Sequence, residues 1–441
     1  MKNTQQTKDT VIEKKYLVPF IIITSLFALW GFANDITNPM VAAFQTVLEV
    51  SNMKASLVQF AFYSGYATMA IPAALFIRKF GYKNSILFGL GLYAFGALCF
   101  WPAALYERFD FFLISLYILT FGLAFLETTS NPYILAMGSK KTATRRLNFA
   151  QSFNPMGSLV GMTVASQVIL ASLDSDKRDA AGNLVYSTLS AVEKATIRTH
   201  DLMVIRNPYV IIGLVVLIMF LLVFFSKMPV FNRPDNNKSV GATFRALGKN
   251  KRYREGVIAQ LFYVAAQIMC WTYIIQYAGN LGIAKAQAQL FNIAAMCCFL
   301  STRFIGTYLM KYFKSVKILL VFAIGGMITT TCVIFINGMP GLYFLIATSI
   351  FMSIMFPTIY GIALEGLEND EATLGASGLV MAIVGGAFMP PLQGRIMDIG
   401  GPGFSDHLFL GFIPEVNISF VLPFICFVFV AIYAWRMRKT I

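Results

Sequence analysis

Long apolar runs separated by short polar breaks organise the whole chain. A run such as "FFLISLYILTFGLAF" (residues 111–125) has no polar face, whereas a soluble amphipathic helix shows one at every turn. Many runs reach the ~20 residues that a bilayer core demands. The pattern predicts an all-α polytopic membrane protein with twelve helices. The first six cover Leu17–Leu48, Lys54–Lys79, Ser85–Ala104, Phe111–Met137, Leu147–Leu170 and Tyr209–Phe225. The second six cover Val257–Tyr277, Ala286–Met310, Val316–Ile336, Leu342–Leu364, Ala376–Met397 and Val416–Trp435.

Charge then fixes the division and the sidedness. A basic connector, 228–254, divides the chain into an N-terminal six-helix half (1–227) and a C-terminal six-helix half (255–441). "RKFGYK", "SKKTATRR", the connector, "KYFKSVK" and the tail "RMRK" fall on one side and hold most of the Lys and Arg. The positive-inside rule makes that side, with both termini, cytoplasmic. The N-terminal run is too long for a signal-peptide core and is expected to stay as the first helix. A weak internal repeat relates the halves: "AALFIRKFGYKNSI" after helix two matches "GTYLMKYFKSVKIL" after helix eight. Likewise "LETTSNPYILAMG" in helix four aligns by its proline with "FMSIMFPTIYGIAL" in helix ten. Parallel repeats of this kind are a transporter device.

Composition removes other classes. The chain is 57% hydrophobic and 13% charged, against about 25% charged in soluble domains. Its net charge of +14 reads as cytoplasmic loop charge, so no nucleic-acid partner is expected. The six cysteines lie within apolar runs and form no CxxC pair, and the two histidines fall in expected loops. With no HExxH, nucleotide-binding glycine loop or GxSxG present, no metal, no resident cofactor and no enzyme activity are expected.

The chemistry sits in polar residues inside the apolar runs. A charge at bilayer depth costs at least about 2.5–3.5 kcal/mol, so it marks function by default. Two carboxylates qualify, Asp35 in helix one and Glu127 in helix four. Asn34, Asp35 and Asn38 fall within about 100° of arc on helix one. Glu127 and Asn131 share a face at i,i+4, and Gln151 and Asn154 are one turn apart on helix five. On helix seven, Gln260, Tyr263, Gln267 and Trp271 make a polar and aromatic stripe within about 80°; Phe356 and Tyr360 on helix ten join the candidates. Asn-Pro occurs at 38–39, 131–132 and 154–155, and each proline frees a backbone carbonyl. At membrane depth such breaks persist where they meet polar partners or line a cavity, and the Asn-Pro pair beside Glu127 is expected to bend helix four. A solute-coupled transporter fits these groups. Single Gln or Tyr residues could equally be interhelical glue.

Twelve helices, a basic connector and "RKFGYK" together resemble the major facilitator superfamily. "FALWGFANDITNP", "AFYSGYATMAIPA", "GLAFLETTSNPY", "RLNFAQSFNPMGS", "AQLFYVAAQIMCW" and "SIMFPTIYG" resemble, within it, the fucose–galactose–glucose:proton symporter family. The resemblance implies import of a monosaccharide, L-fucose or a related hexose, with a proton. It implies coupling by one carboxylate in helix one and one in helix four, in a monomer of the bacterial cytoplasmic membrane. Glu127 matches the second carboxylate in its L-E-T context. The family's helix-one pattern N-x-x-D reads here Asp35-x-x-Asn38, the acid and the amide exchanged over one turn. Alternatives are Na⁺-coupled sugar symport through Asp35 and carbonyls freed near Pro39, transport of another small polar solute, an intramembrane enzyme, or a receptor.

Overall fold

The computed structural model describes residues 12, 14–37, 40–49, 52–177, 185–230, 239–283, 285–367, 369–397, 399 and 407–438. It is almost wholly helical; one two-stranded hairpin, β1 (Leu408–Phe409) with β2 (Ile413–Pro414), precedes the last helix. The helices of the first half are α1 (Leu17–Thr37), α2 (Met40–Val47), α3 (Asn52–Leu98), α4 (Phe100–Leu105), α5 (Phe109–Ala136), α6 (Ala143–Gln151), α7 (Phe153–Val164) and α8 (Ala191–Phe225). Next come α9 (Val240–Lys249), α10 (Lys251–Thr272), α11 (Ile274–Asn280), α12 (Lys285–Leu309), α13 (Ser315–Phe335), α14 (Met339–Met352) and α15 (Met355–Leu364). The chain ends with α16 (Asn369–Met381), α17 (Gly385–Met397), α18 (Glu415–Ile418) and α19 (Val421–Met437). The connector expected as a linker therefore contains a helix of its own, α9.

Among the described residues, eleven helical segments are long and apolar enough to cross a membrane, one fewer than the sequence predicts, because helices two and three run together as α3. Gly81 separates its two arms with φ +81° and ψ 172°. An L-residue adopts that φ only with strain, and glycine does so freely. Two arms in α3 restore the count of twelve. Just beyond Gly81, the Lys83 ammonium donates to the carbonyls of Phe224 and Ser226, both at 2.8 Å. A cation there satisfies the end of α8 and complements its dipole, which gives the basic "RKFGYK" turn a structural task.

The chain divides into two compact units. The first is Ser25–Thr129 with Phe153–Met228; the second is Met1–Thr24, Ser130–Ser152 and Pro229–Ile441. In the first unit α3 packs on α8. The outer face of α8 exposes Ile211, Leu214, Ile218, Leu222 and Phe225, a stripe at three-to-four-residue spacing that suits lipid. Gly157 and Gly161 on α7 let α1 approach closely: a Cβ at Gly157 would stand 1.8 Å from the Ala28 carbonyl oxygen. This is small-xxx-small packing, in which missing side chains permit van der Waals contact between backbones. In the second unit α10 packs against α15, α17 and α19, and α13 against α14 and α19.

The three Asn-Pro pairs behave differently. Asn38 and Pro39 lie outside the described residues. Pro132 sits inside α5, which continues through it as one helix to Ala136. Pro155 occupies the first turn of α7, after a break at Ser152. That position suits proline, since first-turn N–H groups have no intrahelical partner anyway. A further break, not anticipated, separates α14 from α15 at Ser353–Ile354, just before Pro357. His200, expected in a loop, lies on α8, which begins at Ala191, eighteen residues earlier than predicted; Ser190 and Glu193 form a capping box.

Candidate functional site

The first unit holds both deep carboxylates. Asp35, on α1, and Glu127, on α5, are 5% and 6% exposed. Glu127 accepts no hydrogen bond from a described residue; its charge acts on Tyr66, and that of Asp35 acts on Tyr63. Both tyrosines are buried on α3, one turn apart. Asn34 is half-buried on α1. Asn154 uses its amide N–H structurally, donating to the Phe27 carbonyl at 3.2 Å. Asn38 lies outside the described residues.

The second unit holds the remaining candidate amides and the candidate aromatics. Gln151 on α6 donates to the Asn131 side-chain oxygen on α5 at 2.8 Å. The Asn131 side-chain nitrogen is buried with no partner among the described residues. Asn148, one turn before Gln151, donates to the Thr358 hydroxyl on α15 at 3.2 Å. On α10, Tyr263 donates to the Met352 carbonyl at 3.0 Å, and the Trp271 indole N–H donates to the Ser349 hydroxyl at 3.1 Å. Tyr263 meets Phe356 edge-on at 6.3 Å, and Phe356 stacks on Tyr360 at 6.4 Å. Gln267 is half-buried on the same stripe. Gln260 is fully buried, and neither its amide oxygen nor its amide nitrogen has a partner among the described residues. Buried amides are rarely left so, and this one is available to a ligand or an ordered water.

Arg303 on α12 ties this cluster together, and the sequence reading passed over it. It is 3% exposed. Its Nη1 donates to the Gln151 carbonyl at 2.9 Å and its Nε to the Ser353 carbonyl, while its guanidinium lies 4.5 Å from the Phe299 ring centre. Both carbonyls have the same origin. The residue four beyond Gln151 is Pro155, and the residue four beyond Ser353 is Pro357. Neither proline has the N–H that would close a helical turn, so each preceding carbonyl is free. One guanidinium, with donors in a fixed fork, satisfies both. The signal was present in sequence: an arginine inside an apolar helix, with a proline in each half that frees a carbonyl.

Glu415 was also missed, because helix twelve was drawn from Val416. It is fully buried in α18, and neither carboxylate oxygen has a partner among the described residues.

The Major Facilitator Superfamily pattern matches residues 22–390. The L-fucose-proton symporter of Haemophilus influenzae is 62% identical, over 97% of this chain and 98% of that protein. The L-fucose-proton symporter of Escherichia coli is 33% identical, over 98% of this chain and 95% of that one. The crystal structure of the E. coli fucose:proton symporter superposes with a TM-score of 0.84 at 32% identity, covering 96% of this chain and 99% of that one.

Proposed function

This chain belongs to the major facilitator superfamily, and on that premise we propose that it is a symporter that imports a monosaccharide, L-fucose or a related hexose, with a proton, by alternating access. The extent of likeness to proteins named as L-fucose-proton symporters supports the substrate. Glu127 is the observation that carries the coupling: an almost fully buried acid on a membrane helix, without a cation or hydrogen-bond donor from any described residue. An acid so placed gains most from taking up a proton, because the ionised form has no compensation. Asp35 is the second proton-handling group. Amides both donate and accept, so Gln260, Gln267, Asn131 and Gln151 suit sugar hydroxyls, with Asn34, Asn38 and Asn154 as further polar candidates. Trp271, Tyr263, Phe356 and Tyr360 offer apolar faces to the C–H surface of the ring. The protein works as a monomer in the bacterial cytoplasmic membrane, with both termini inside.

The test is uptake by proteoliposomes of labelled L-fucose, D-galactose and D-glucose, each under an imposed pH gradient or an imposed Na⁺ gradient. Fucose is expected to accumulate when the outside is acidic and to ignore Na⁺. Accumulation that follows Na⁺ at fixed pH would replace the coupling ion. Failure of all three sugars to accumulate would overturn the substrate class.

A further inference from the structure

The N-terminal end of α8 carries a cluster of ionisable side chains outside the candidate site. A 35-residue α8 is about 52 Å long at 1.5 Å per residue, whereas a bilayer core is about 30 Å thick. Its first four turns carry Glu193, Lys194, Arg198, His200 and Asp201, and loop charges assign them to the exterior. Turns from the same unit grip this overhang: Lys194 pairs with Glu49 at 2.7 Å and Arg198 with Glu107 at 2.9 Å. Beside them His200 and Asp201, on α8, meet Asp174, on the short turn that follows helix five.

The geometry of this trio points to a metal. Asp201 is fully buried, and its two oxygens accept from the Asp174 and Ser175 backbone N–H groups, each at 2.9 Å. His200 Nδ1 stands 3.1 Å from Asp201 Oδ1 and 3.3 Å from Asp174 Oδ2. One nitrogen bears at most one proton, and one proton cannot be aimed well at two oxygens. Two ligand atoms on a tetrahedral ion with bonds of about 2.0–2.2 Å sit about 3.4 Å apart, which is close to both separations. All three ligand atoms lie within 4.8 Å of one another.

We propose that Asp174, His200 and Asp201 form a binding site for a borderline divalent cation such as Zn²⁺, outside the membrane, with water completing the coordination. The charge balance agrees. Asp174 is held ionised below its ordinary range, first by the hydrogen bond from Lys177, which engages Oδ1 at 2.6 Å and leaves Oδ2 open. Two carboxylates against one lysine leave a net negative site. The backbone bonds to Asp201 fix that carboxylate in place, as outer-shell partners do in metal sites. The side chains of His200 and Asp174 are 52% and 35% exposed, which gives an ion a path of entry. The Ser175 hydroxyl, buried in the same turn, has no partner among the described residues and could serve a bound water.

The full-length protein in detergent, stripped with a chelator, would be titrated with Zn²⁺ against a chromophoric competitor. One ion per chain is expected, with binding at least tenfold weaker in His200→Ala and in Asp174→Asn, and unchanged in His407→Ala, which removes the other histidine. Co²⁺ should give a visible spectrum of low coordination number in the wild type and lose it in His200→Ala. Zn²⁺ should also raise the unfolding temperature of the wild type but not of His200→Ala. Absence of saturable binding would overturn the site and leave the trio as an ion pair of protonated histidine. So would equal binding by both cluster variants.

Discussion

The cluster around Arg303 in the second unit and Glu127 in the first meet burial differently. In that cluster Gln151 is bound to Asn131, Asn148 to Thr358, Trp271 to Ser349, and Arg303 to two carbonyls, while Gln260 and Glu415 elsewhere in the second unit have no partner among the described residues. In the first unit Glu127 is almost as deeply buried, yet no described residue donates to it. A hydrogen-bonded network in a low dielectric is stiff and holds its donors at fixed positions. A lone carboxylate is free to change its charge, because no bond depends on either protonation state. On the proposed reading, the bonded cluster suits ligand recognition and the unbonded Glu127 suits carriage of a proton.

The largest effect should come from abolishing titration where it is free. Glu127→Gln keeps shape and an acceptor oxygen. Uphill uptake is expected to fall at least a hundredfold while counterflow persists, and the pH dependence of exchange should flatten. Measuring counterflow and accumulation side by side decides; a mutant that still concentrates sugar would end the contrast between the units. Next comes the rigid side. Arg303→Met leaves two buried carbonyls unsatisfied, each costing about 1–3 kcal/mol. The protein is expected to lose roughly 2–4 kcal/mol of stability, read as a lower unfolding temperature in detergent. Arg303→Lys, with a point charge in place of a fork, should recover only part of it. An unchanged unfolding temperature in Arg303→Met would show that the proline-freed carbonyls have other partners.

Trp271→Ala should act more mildly, weakening sugar binding about tenfold, or ~1.4 kcal/mol, with the proton dependence of transport intact. Calorimetric titration would detect it. The smallest effect is expected at Glu415. A buried carboxylate without a partner gains nothing from its charge, so Glu415→Gln should leave coupling untouched and stability within ~1 kcal/mol of the wild type or above it. Loss of coupling there would mean that proton handling is shared between the units.

Most of the fold was legible because twelve apolar runs of bilayer length permit little else. The deep acids were legible for the same reason, since a charge stands out in such a run. What stayed hidden depended on pairing across helices. Arg303 was passed over because its partners are backbone carbonyls, which leave no mark in a side-chain pattern unless the proline four residues on is noticed. Tyr63 and Tyr66 lie in an ordinary aromatic stretch, and only the structure brings Asp35 and Glu127 within electrostatic reach of them. The break between helices two and three was legible in "RKFGYK"; that it is made at one glycine, inside an otherwise continuous helical run, was not.

The overhang of α8 bears on how this protein could be watched at work. Glu49 and Glu107, which pin it, both sit at positive φ, 49° and 50°, so the turns that hold it are held in return by their ion pairs. Val192 near its tip is 78% exposed. A fluorophore on a cysteine placed there, or a nanobody raised against the knob, would be borne by the first unit alone.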